Sequence, residues 1–362
     1  MSISRHCRAA GPLAIACVAA LLVAVARAQA PPAPQLRFDA AVRTAASLPR
    51  MRSLLVSWQG ELVLERYFNG ARADATNNIK SVSKSVLSAL IGIAIDRGHI
   101  AGVEQPIRAY FGDELRDTDN ALKTHITVEN LLTMQSGLET TSNRNYGAWV
   151  ASADWVGFAL RQPLLFAPGR LMEYSTGNTH LLSALLTRAT GQTTLAFARE
   201  VLAEPLGFDL APWPQDPKGV YFGGNDMQMT PRQMRAFGEL YLNGGQAGGT
   251  QIVAEWVAAS LAPRVQSRGQ RSRYYGYGWW IRDMAGHETP YAWGFGGQFI
   301  VLVPALDLVV VTTSSSDPGP ERRGHTRRIY DLVEYEVIAA AAQGLGHPPV
   351  PRPQPGYSAS GQ

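Results

Sequence analysis

The sequence predicts an α+β fold in which both ends of the chain build an antiparallel sheet and a mostly helical part is inserted between them. Two observations support this prediction. Strand-like alternation is concentrated in residues 54–68 and 274–313, whereas residues 101–244 show helical spacing interrupted by Gly and Pro. About 330 residues follow a predicted leader, which is enough for one large domain with a substantial core.

The first 28 residues are predicted to be a signal peptide. Arg5 and Arg8 precede an apolar run from Leu13 to Ala26, and Ala26-Arg27-Ala28 has the small-x-small form of a signal peptidase site. The run is shorter than the ~20 residues that a bilayer requires. We therefore expect cleavage after Ala28, export to the periplasm or the medium, and no stable membrane insertion afterwards. An uncleaved membrane anchor is the alternative.

Removal of this leader changes what the composition implies. The two cysteines, Cys7 and Cys17, leave with it, so the mature chain has neither a disulfide nor a thiol nucleophile. The formal charge falls from +4 to +1 because Arg5, Arg8 and Arg27 also leave. This small charge gives no reason to expect nucleic-acid binding.

The sheet part is predicted at residues 45–100 and 245–345, after a lead-in at residues 29–44 that contains a Pro-rich stretch. Two strand-like segments that flank Gln59-Gly60 predict a β-hairpin. A turn at residues 304–307 joins two further strands near the other end. The predicted strands are Leu54 to Trp58, Glu61 to Phe68, Tyr274 to Ile281, Gln298 to Val303 and Leu308 to Thr313.

The helical part is predicted at residues 101–244, and one more helix follows the last strand, from Arg328 to Ala342. Residues 346–362 are rich in Pro, Gly and Ser, so this tail is expected to be disordered. The helical patterns within the inserted part are Val128 to Met134, Trp155 to Leu160, Thr179 to Ala189 and Pro231 to Leu242.

A further helix is predicted to begin at Ser81 and to be buried, because apolar residues lie on all its sides. Gly98 suits the left-handed position after its end. Ser81 and Lys84 are three residues apart, which places both side chains on one face of the first turn. A serine hydroxyl needs an adjacent base, and lysine can act as one when burial or nearby positive groups lower its pKa.

Lysine usage supports a catalytic role for Lys84. The chain has only four lysines, at positions 80, 84, 123 and 218, among 33 basic residues. Arg cannot lose its proton in a protein, whereas Lys can. A lysine kept inside an apolar helix therefore favours a base over a chance Ser-x-x-Lys pattern. Lys80 is interpreted as solvated or ion-paired near the helix entry.

The chain resembles the serine β-lactamase and penicillin-binding superfamily, in which Ser-x-x-Lys carries the nucleophile and its base. It is most similar to the branch that contains class C β-lactamases, family VIII esterases and 6-aminohexanoate-dimer hydrolases. The resemblance implies a β-lactamase-like domain at residues 45–345, with Ser81 acylated and Lys84 as base. Supporting stretches are Ile79 to Ser85, Val128 to Leu138, Pro168-Gly169, Pro205-Leu206-Gly207 and Met229-Thr230-Pro231.

The family's second motif, Tyr-x-Asn, matches the stretch that begins at Tyr174. The resemblance implies that the Tyr174 phenol relays protons between Ser81, Lys84 and the leaving group. Thr176 stands where the family often has Asn, and a hydroxyl cannot offer the two donors of an amide. Thr176 and Asn178 are both candidates for substrate contact.

The third motif, Lys-Thr-Gly or His-x-Gly in relatives, corresponds to Ala292–Gln298, which contains no cation. In the family this cation helps to hold the carboxylate of a β-lactam or peptide terminus, so its loss argues against penicillin-like substrates. Gly294 and Gly296 fit a strand that a ligand approaches closely. The resemblance implies that the Phe295 N–H completes the oxyanion hole with the Ser81 N–H; a β-bulge is the alternative.

Other candidate sites are weaker. No metal or cofactor is expected, because the histidines show no His-Glu-x-x-His pattern, and His99, His125 and His180 are interpreted as structural. The absence of Gly-x-Ser-x-Gly argues against an α/β-hydrolase. Four arginines are interpreted as a solvated helix face, and several aromatic residues could line a cleft or belong to the core. The arginines are Arg322, Arg323, Arg327 and Arg328. The aromatic residues are Tyr146, Trp149, Trp155, Tyr275, Tyr277 and Trp293.

The sequence thus predicts a serine hydrolase that cleaves carboxylic esters or linear amides through an acyl-enzyme. The expected partner is a small-molecule ester, amide or lactam. A β-lactamase or D-alanyl-D-alanine carboxypeptidase is the alternative enzyme. A non-hydrolytic binding protein of the same fold is the alternative from another class.

Overall fold

The structure, a computed structural model, describes residues 36–116, 118–248, 250–251 and 253–349. The predicted signal peptide, most of the lead-in before residue 36 and the tail from residue 350 lie outside the described residues. None of the helices in the described ranges combines the length and the apolar character that a membrane crossing requires.

An antiparallel sheet of eight strands forms the centre of the fold. Two pairs of short strands lie outside it. The strands are β1 (Met51–Trp58), β2 (Glu61–Tyr67), β3 (Asn77–Asn78), β4 (Gln228–Met229), β5 (Gln246–Ala247), β6 (Thr250–Gln251), β7 (Val265–Gln266), β8 (Arg273–Tyr275), β9 (Trp280–Met284), β10 (His287–Gly294), β11 (Gln298–Val303) and β12 (Leu308–Ser314). The order in the large sheet is β2-β1-β12-β11-β10-β9-β8-β7, while β3 pairs with β4 and β5 with β6.

The two ends of the chain meet in the middle of this sheet. Strand β1 pairs antiparallel with β12, with Val56 opposite Val310. The hairpin of β1 and β2 turns at Gln59 and Gly60, both of which have positive φ angles, 52° and 78°, as a tight two-residue turn requires. The predicted α+β class, with a sheet from both chain ends, is confirmed.

Helices cover the sheet and build the inserted part. They are α1 (Asp39–Ser47), α2 (Ser83–Asp96), α3 (Val128–Leu132), α4 (Tyr146–Val150), α5 (Trp155–Arg161), α6 (Thr176–Thr190), α7 (Thr194–Ala198), α8 (Pro231–Leu242), α9 (Ala254–Leu261), α10 (His325–Leu332) and α11 (Ala339–Gly344). A π-helical segment, Val333–Ile338, joins α10 to α11, and another, Arg199–Ala203, follows α7. Short 3-10 turns are Lys80–Val82, Ile107–Ala109, Ala121–His125, Asn143–Asn145, Pro304–Leu306 and Pro320–Arg322.

The central strands are apolar on both faces because each face packs against helices. Alternate residues of β12 belong to different core clusters: Val309 and Val311 face the cluster that contains α2 and α8, while Leu308 and Val310 face the cluster of α1 and α10. Helix α8 approaches the sheet very closely at Gly238, where an added Cβ would lie 2.7 Å from Val309 Cγ1. Helix α2, which follows the candidate nucleophile, packs into the same core cluster as Val309 and Val311.

Several element boundaries differ from the predicted ones. Helix α1 begins inside the residues assigned to the lead-in, and its buried residues are small alanines such as Ala41 and Ala45, which give a weak apolar pattern. The predicted strand Tyr274 to Ile281 is two strands, β8 and β9, because Gly276 and Gly278 lie in a turn between them, with φ +80° at Gly278. Strand β10 was predicted only at its end, where the third motif begins at Ala292, since its first residues are polar and Pro290 interrupts the pattern.

Candidate active site

A cavity of about 620 Å³ opens between the start of α2 and the sheet. Two walls of different origin enclose it. The nucleophile wall is the lining pair Ser81 and Thr176 together with Lys84, which contacts both, and Gly224, which accepts from Lys84. The sheet wall is Arg273, Trp280, Trp293 and Phe295. The cavity is lined by Lys80, Ser81, Ser142, Asn143, Tyr146, Tyr174, Thr176, Asn225, Arg273, Trp280, Trp293 and Phe295.

Ser81 lies in the 3-10 turn Lys80–Val82, and the α-helix begins only at Ser83. The prediction that Ser81 opens an α-helix is therefore wrong by two residues, although the turn runs directly into α2. The Ser83 hydroxyl fixes this junction by donating to the Lys80 carbonyl (2.6 Å) and accepting from the Met227 N–H (3.2 Å). Gly98, after the end of α2, has the predicted positive φ of 76°.

Lys84 projects from the first turn of α2 and is almost completely buried, with 1% of its surface exposed. Its Nζ lies 3.1 Å from Ser81 Oγ, 3.4 Å from Thr176 Oγ1 and 2.6 Å from the carbonyl oxygen of Gly224. Burial lowers the pKa of Lys84 to about 7, partly opposed by the negative charge of Asp226. All its direct partners among the described residues are neutral oxygens, so the amine can lose its proton near neutral pH.

Lys80 has a different environment although it is only four residues away. Its ammonium lies 3.1 Å from Asp226 Oδ1, and Asp226 also accepts from the Asn78 amide (2.7 Å). Lys80 and Asp226 both have positive φ angles, 51° and 63°, a conformation that non-glycine residues rarely adopt outside functional sites. Lys80 is thus ion-paired at the entry of the nucleophile turn, as one of the two sequence interpretations proposed.

Tyr174 stands across the cavity from the helix. The Lys84 ammonium lies 5.1 Å from the centre of the Tyr174 ring. The ring stacks on Trp280 at 5.5 Å and 20°. Burial raises the pKa of Tyr174 to about 12, and the nearby Ser81 hydroxyl and the positive charge of Arg273 partly oppose the rise. The phenol therefore keeps its proton at neutral pH and can donate or relay it.

The structure separates the two predicted substrate contacts of the second motif. Thr176 lies on the cavity, where its Oγ1 is 2.9 Å from the Ser142 hydroxyl and its N–H donates to the same oxygen (2.9 Å). Asn178 is buried inside α6, and its Oδ1 accepts from the Ser136 hydroxyl (3.0 Å). The structure thus brings Thr176 to the site and leaves Asn178 away from it.

The third motif forms the hairpin between β10 and β11. Strand β10 ends at Gly294, so Phe295, Gly296 and Gly297 lie in the turn and not on the strand as predicted. A Cβ at Gly294 would lie 2.3 Å from the Ile79 carbonyl oxygen. Glycine is therefore needed at position 294 because the strand touches the backbone two residues before Ser81.

Phe295 turns its ring to the mouth of the cavity, where 46% of its surface is exposed. Its N–H donates to no carbonyl in the described part of the chain, which leaves it available to a ligand. Gly296 and Gly297 have φ angles of +92° and +109°, so glycine is favoured at both positions. The hairpin is held from behind by Gln298, whose side chain bonds the Ser314 backbone twice (2.6 and 3.0 Å).

Arg273 and Trp280 complete the sheet wall, and neither was identified as a site residue from the sequence. Both belong to short strands, β8 and β9, whose patterns gave no sign that these two side chains line the cavity of Ser81. Of the six aromatic residues suggested for a cleft, Tyr146 and Trp293 line the cavity. The other four, Trp149, Trp155, Tyr275 and Tyr277, belong to the buried core.

The remaining candidates lie outside the site. His180 is buried and bonded to Asp216 at 3.1 Å, His99 packs on Phe197, and His125 is exposed at the surface. The four arginines of the predicted cluster are exposed. One of them, Arg322, precedes α10 and packs on the Phe295 ring at 5.3 Å.

Comparison with known proteins agrees with this arrangement. A family model described as Beta-lactamase matches residues 49–334. The 6-aminohexanoate-dimer hydrolase of Paenarthrobacter ureafaciens is 26% identical over 299 residues, which is 75% of this chain and 74% of the relative.

Two solved structures show the same fold at low identity. A class C beta-lactamase from Rhodobacter sphaeroides has a TM-score of 0.62 at 18% identity, covering 81% of this chain and 97% of the other. EstCE1, a hydrolase with promiscuous acyltransferase activity, has a TM-score of 0.64 at 17% identity, covering 82% and 97%.

Proposed function

This chain belongs to the beta-lactamase family, and from that premise we propose that it is a serine hydrolase that cleaves esters and linear amides through an acyl-enzyme on Ser81. The observation that carries this is the 3.1 Å approach of the buried Lys84 amine to Ser81 Oγ. At pH 7 a pKa of about 7 leaves roughly half of that amine neutral, against about one in three thousand for an ordinary lysine. The named relatives, a 6-aminohexanoate-dimer hydrolase and EstCE1, are hydrolases and support the reaction class.

In the first half of the reaction, Lys84 Nζ takes the proton of Ser81 while Ser81 Oγ bonds to the substrate carbonyl carbon. The carbonyl oxygen becomes an oxyanion, held by the N–H groups of Ser81 and Phe295. The carbonyl then re-forms and expels the alcohol or amine. Tyr174 donates its proton to this leaving group and recovers one from the Lys84 ammonium, so the amine is neutral again.

In the second half, water replaces the leaving group. Lys84, through Tyr174, takes a proton from this water as its oxygen attacks the acyl carbon, and Ser81 Oγ leaves with a proton returned by the ammonium. The two pKa values fit different roles. Lys84, with a pKa of about 7, is the base, and Tyr174, with a pKa of about 12, stays neutral and relays protons.

The test compares the protein with its Ser81→Ala variant on 4-nitrophenyl butyrate, on nitrocefin and with a fluorophosphonate probe. We expect the protein to hydrolyse the ester and to be labelled, and Ser81→Ala to lose both. A matched control is Ser88→Ala, which removes another buried hydroxyl of α2 whose contact is the Trp256 indole at 3.3 Å. It should remain labelled.

Each other result has a distinct meaning. Labelling without ester turnover favours the non-hydrolytic binding protein, and turnover of nitrocefin in preference to the ester favours a β-lactamase. Full activity of Ser81→Ala on any substrate that the protein turns over contradicts the assignment of the nucleophile.

A further inference from the structure

The Arg273 guanidinium has little to bind within the protein. It packs over the Trp280 ring, with Cζ 4.2 Å from the ring centre, and its Nη2 makes one long contact to the Ser267 hydroxyl (3.4 Å). Its Nε is buried and has no hydrogen-bond partner among the described residues. A guanidinium has five N–H donors, so most of its bonding capacity remains unused at a cavity wall.

The distribution of charge around the cavity leaves the Arg273 guanidinium without a compensating negative charge. Arg273 and Lys80 are the cations among the described lining residues, and that lining contains no Asp or Glu. Lys80 is neutralised by Asp226 just behind it, whereas Arg273 has no carboxylate partner in the described chain. Arg322, packed on the Phe295 ring at the mouth, adds a second positive group.

Arg273 is also held next to the catalytic groups. Trp280 contacts both the Arg273 guanidinium and the Tyr174 ring, and strand pairing of β8 with β9 fixes Arg273 opposite Arg282. Stacking on an aromatic ring restrains the plane of a guanidinium, and its two terminal nitrogens can still form a bidentate pair with a carboxylate. An anion bound there would lie in the same cavity as the carbonyl under attack.

We propose that Arg273 binds a carboxylate of the substrate, and that the natural substrates are therefore esters or amides that carry such a group. This inference rests on the proposed function. The third motif lacks a cation, which argued against carboxylate-bearing substrates from the sequence. The structure supplies one from strand β8, about twenty residues before that motif, on a different part of the cavity wall.

Binding is measured without turnover on the Ser81→Ala protein by titration calorimetry. The ligands are the mono-4-nitroanilides of succinic, glutaric and adipic acids, each paired with the nearly isosteric neutral compound in which a primary amide replaces the free carboxylate. We expect at least one acid of the series to bind about tenfold to a hundredfold more tightly than its neutral partner, as charge-assisted hydrogen bonds predict.

Second substitutions in that background identify the residue. Arg273→Gln should abolish the preference for the acid, and Arg273→Lys should keep only part of it, since an ammonium lacks the bidentate fork. Arg271→Gln is the matched control, because it removes the same charge from an exposed position two residues away. It should leave the preference unchanged.

The outcomes separate this inference from the proposed function. Equal affinity for acid and neutral ligands across the series, or a preference that survives Arg273→Gln, overturns the role of Arg273. Loss of the preference in Arg271→Gln as well shows that overall charge, not this side chain, selects the anion and also overturns it. Absence of 4-nitrophenyl butyrate hydrolysis by the unsubstituted protein counts only against the proposed function.

Discussion

The polar groups of the two cavity walls differ in where their hydrogen-bond partners come from. On the nucleophile wall, Lys84 is buried and its amine contacts three oxygens of the protein. On the sheet wall, Phe295 is half exposed with an unused N–H, and Arg273 has donors without partners. Groups whose partners lie inside the fold are fixed before a substrate arrives, whereas groups with spare donors are completed by the substrate.

This difference suggests a division of roles, with the reaction assigned to the nucleophile wall and the selection of substrate to the sheet wall. In the proposed mechanism the reaction depends on the proton equilibrium of Lys84, whose pKa burial lowers to about 7. The choice of substrate depends on which acyl or leaving group satisfies the donors opposite. Substitutions on the nucleophile wall should therefore reduce turnover of every substrate alike, while those on the sheet wall should change the ranking of substrates.

The largest effect is expected from Lys84→Arg, which tests whether a change on the nucleophile wall reduces the turnover of every substrate alike. A guanidinium keeps the positive charge but cannot give up its proton, so the base is lost. We expect kcat for 4-nitrophenyl butyrate to fall on the order of a hundredfold to ten-thousandfold. The fall should be the same for charged and neutral esters.

Lys80→Arg is the matched control for this variant. It makes the same change four residues earlier, at a lysine paired with Asp226, and the ion pair can form again. Activity should stay within a few-fold of the unsubstituted protein. If Lys84→Arg folds, as judged by its thermal unfolding midpoint, and retains activity comparable to that control, Lys84 is not the base.

The nucleophile wall was accessible from the sequence because its main members are close together in the chain. Ser81 and Lys84 are three residues apart, and a run of apolar residues after them indicated a buried helix. Thr176 is 92 residues from Lys84 along the chain and was found only through the second motif. The Gly224 carbonyl is 140 residues from Lys84 and was not found. No local pattern reports such a contact.

The sheet wall was predicted less completely for the same physical reason. The glycine-rich stretch marked the hairpin of Gly294 to Gly297, but Arg273 and Trp280 reach the cavity only because β8, β9 and β10 are neighbours in the sheet. A three-residue strand such as β8 leaves almost no periodic signal. The cation at the site could therefore not be assigned from sequence spacing.

A smaller effect is expected from Gly294→Ala, which disturbs the contact between the two walls. Its Cβ would lie 2.3 Å from the Ile79 carbonyl oxygen, so β10 and the nucleophile turn must move apart. The N–H groups of Ser81 and Phe295 would then no longer converge. We expect kcat to fall by about a hundredfold, the usual cost of one oxyanion donor.

Gly269→Ala is the control for this substitution. An added Cβ there meets no atom within 4 Å and φ is not positive, so activity should be unchanged. Unaltered kcat in a folded Gly294→Ala protein would show that the close contact of strand and turn does not position the oxyanion donors.

The smallest effect concerns the pH dependence that Lys84 imparts. Since the neutral amine is the active form in the proposed mechanism, kcat/KM for an uncharged ester should rise with pH through about 7, the pKa of Lys84. The charge of Asp226 raises this pKa, so Asp226→Asn should move the midpoint to lower pH. Lys80→Met, which removes the cation paired with Asp226, should move it to higher pH.

We expect each shift to be about one pH unit or less, because neither side chain is in contact with the Lys84 amine. The opposite signs are the decisive feature. A general loss of structure would lower activity at every pH without moving the midpoint. If the midpoint moved in the same direction in both variants, the rise of kcat/KM with pH could not be assigned to Lys84. The pKa of Lys84 thus determines the pH range in which the enzyme is active, and the Lys80–Asp226 ion pair adjusts the midpoint of the pH profile.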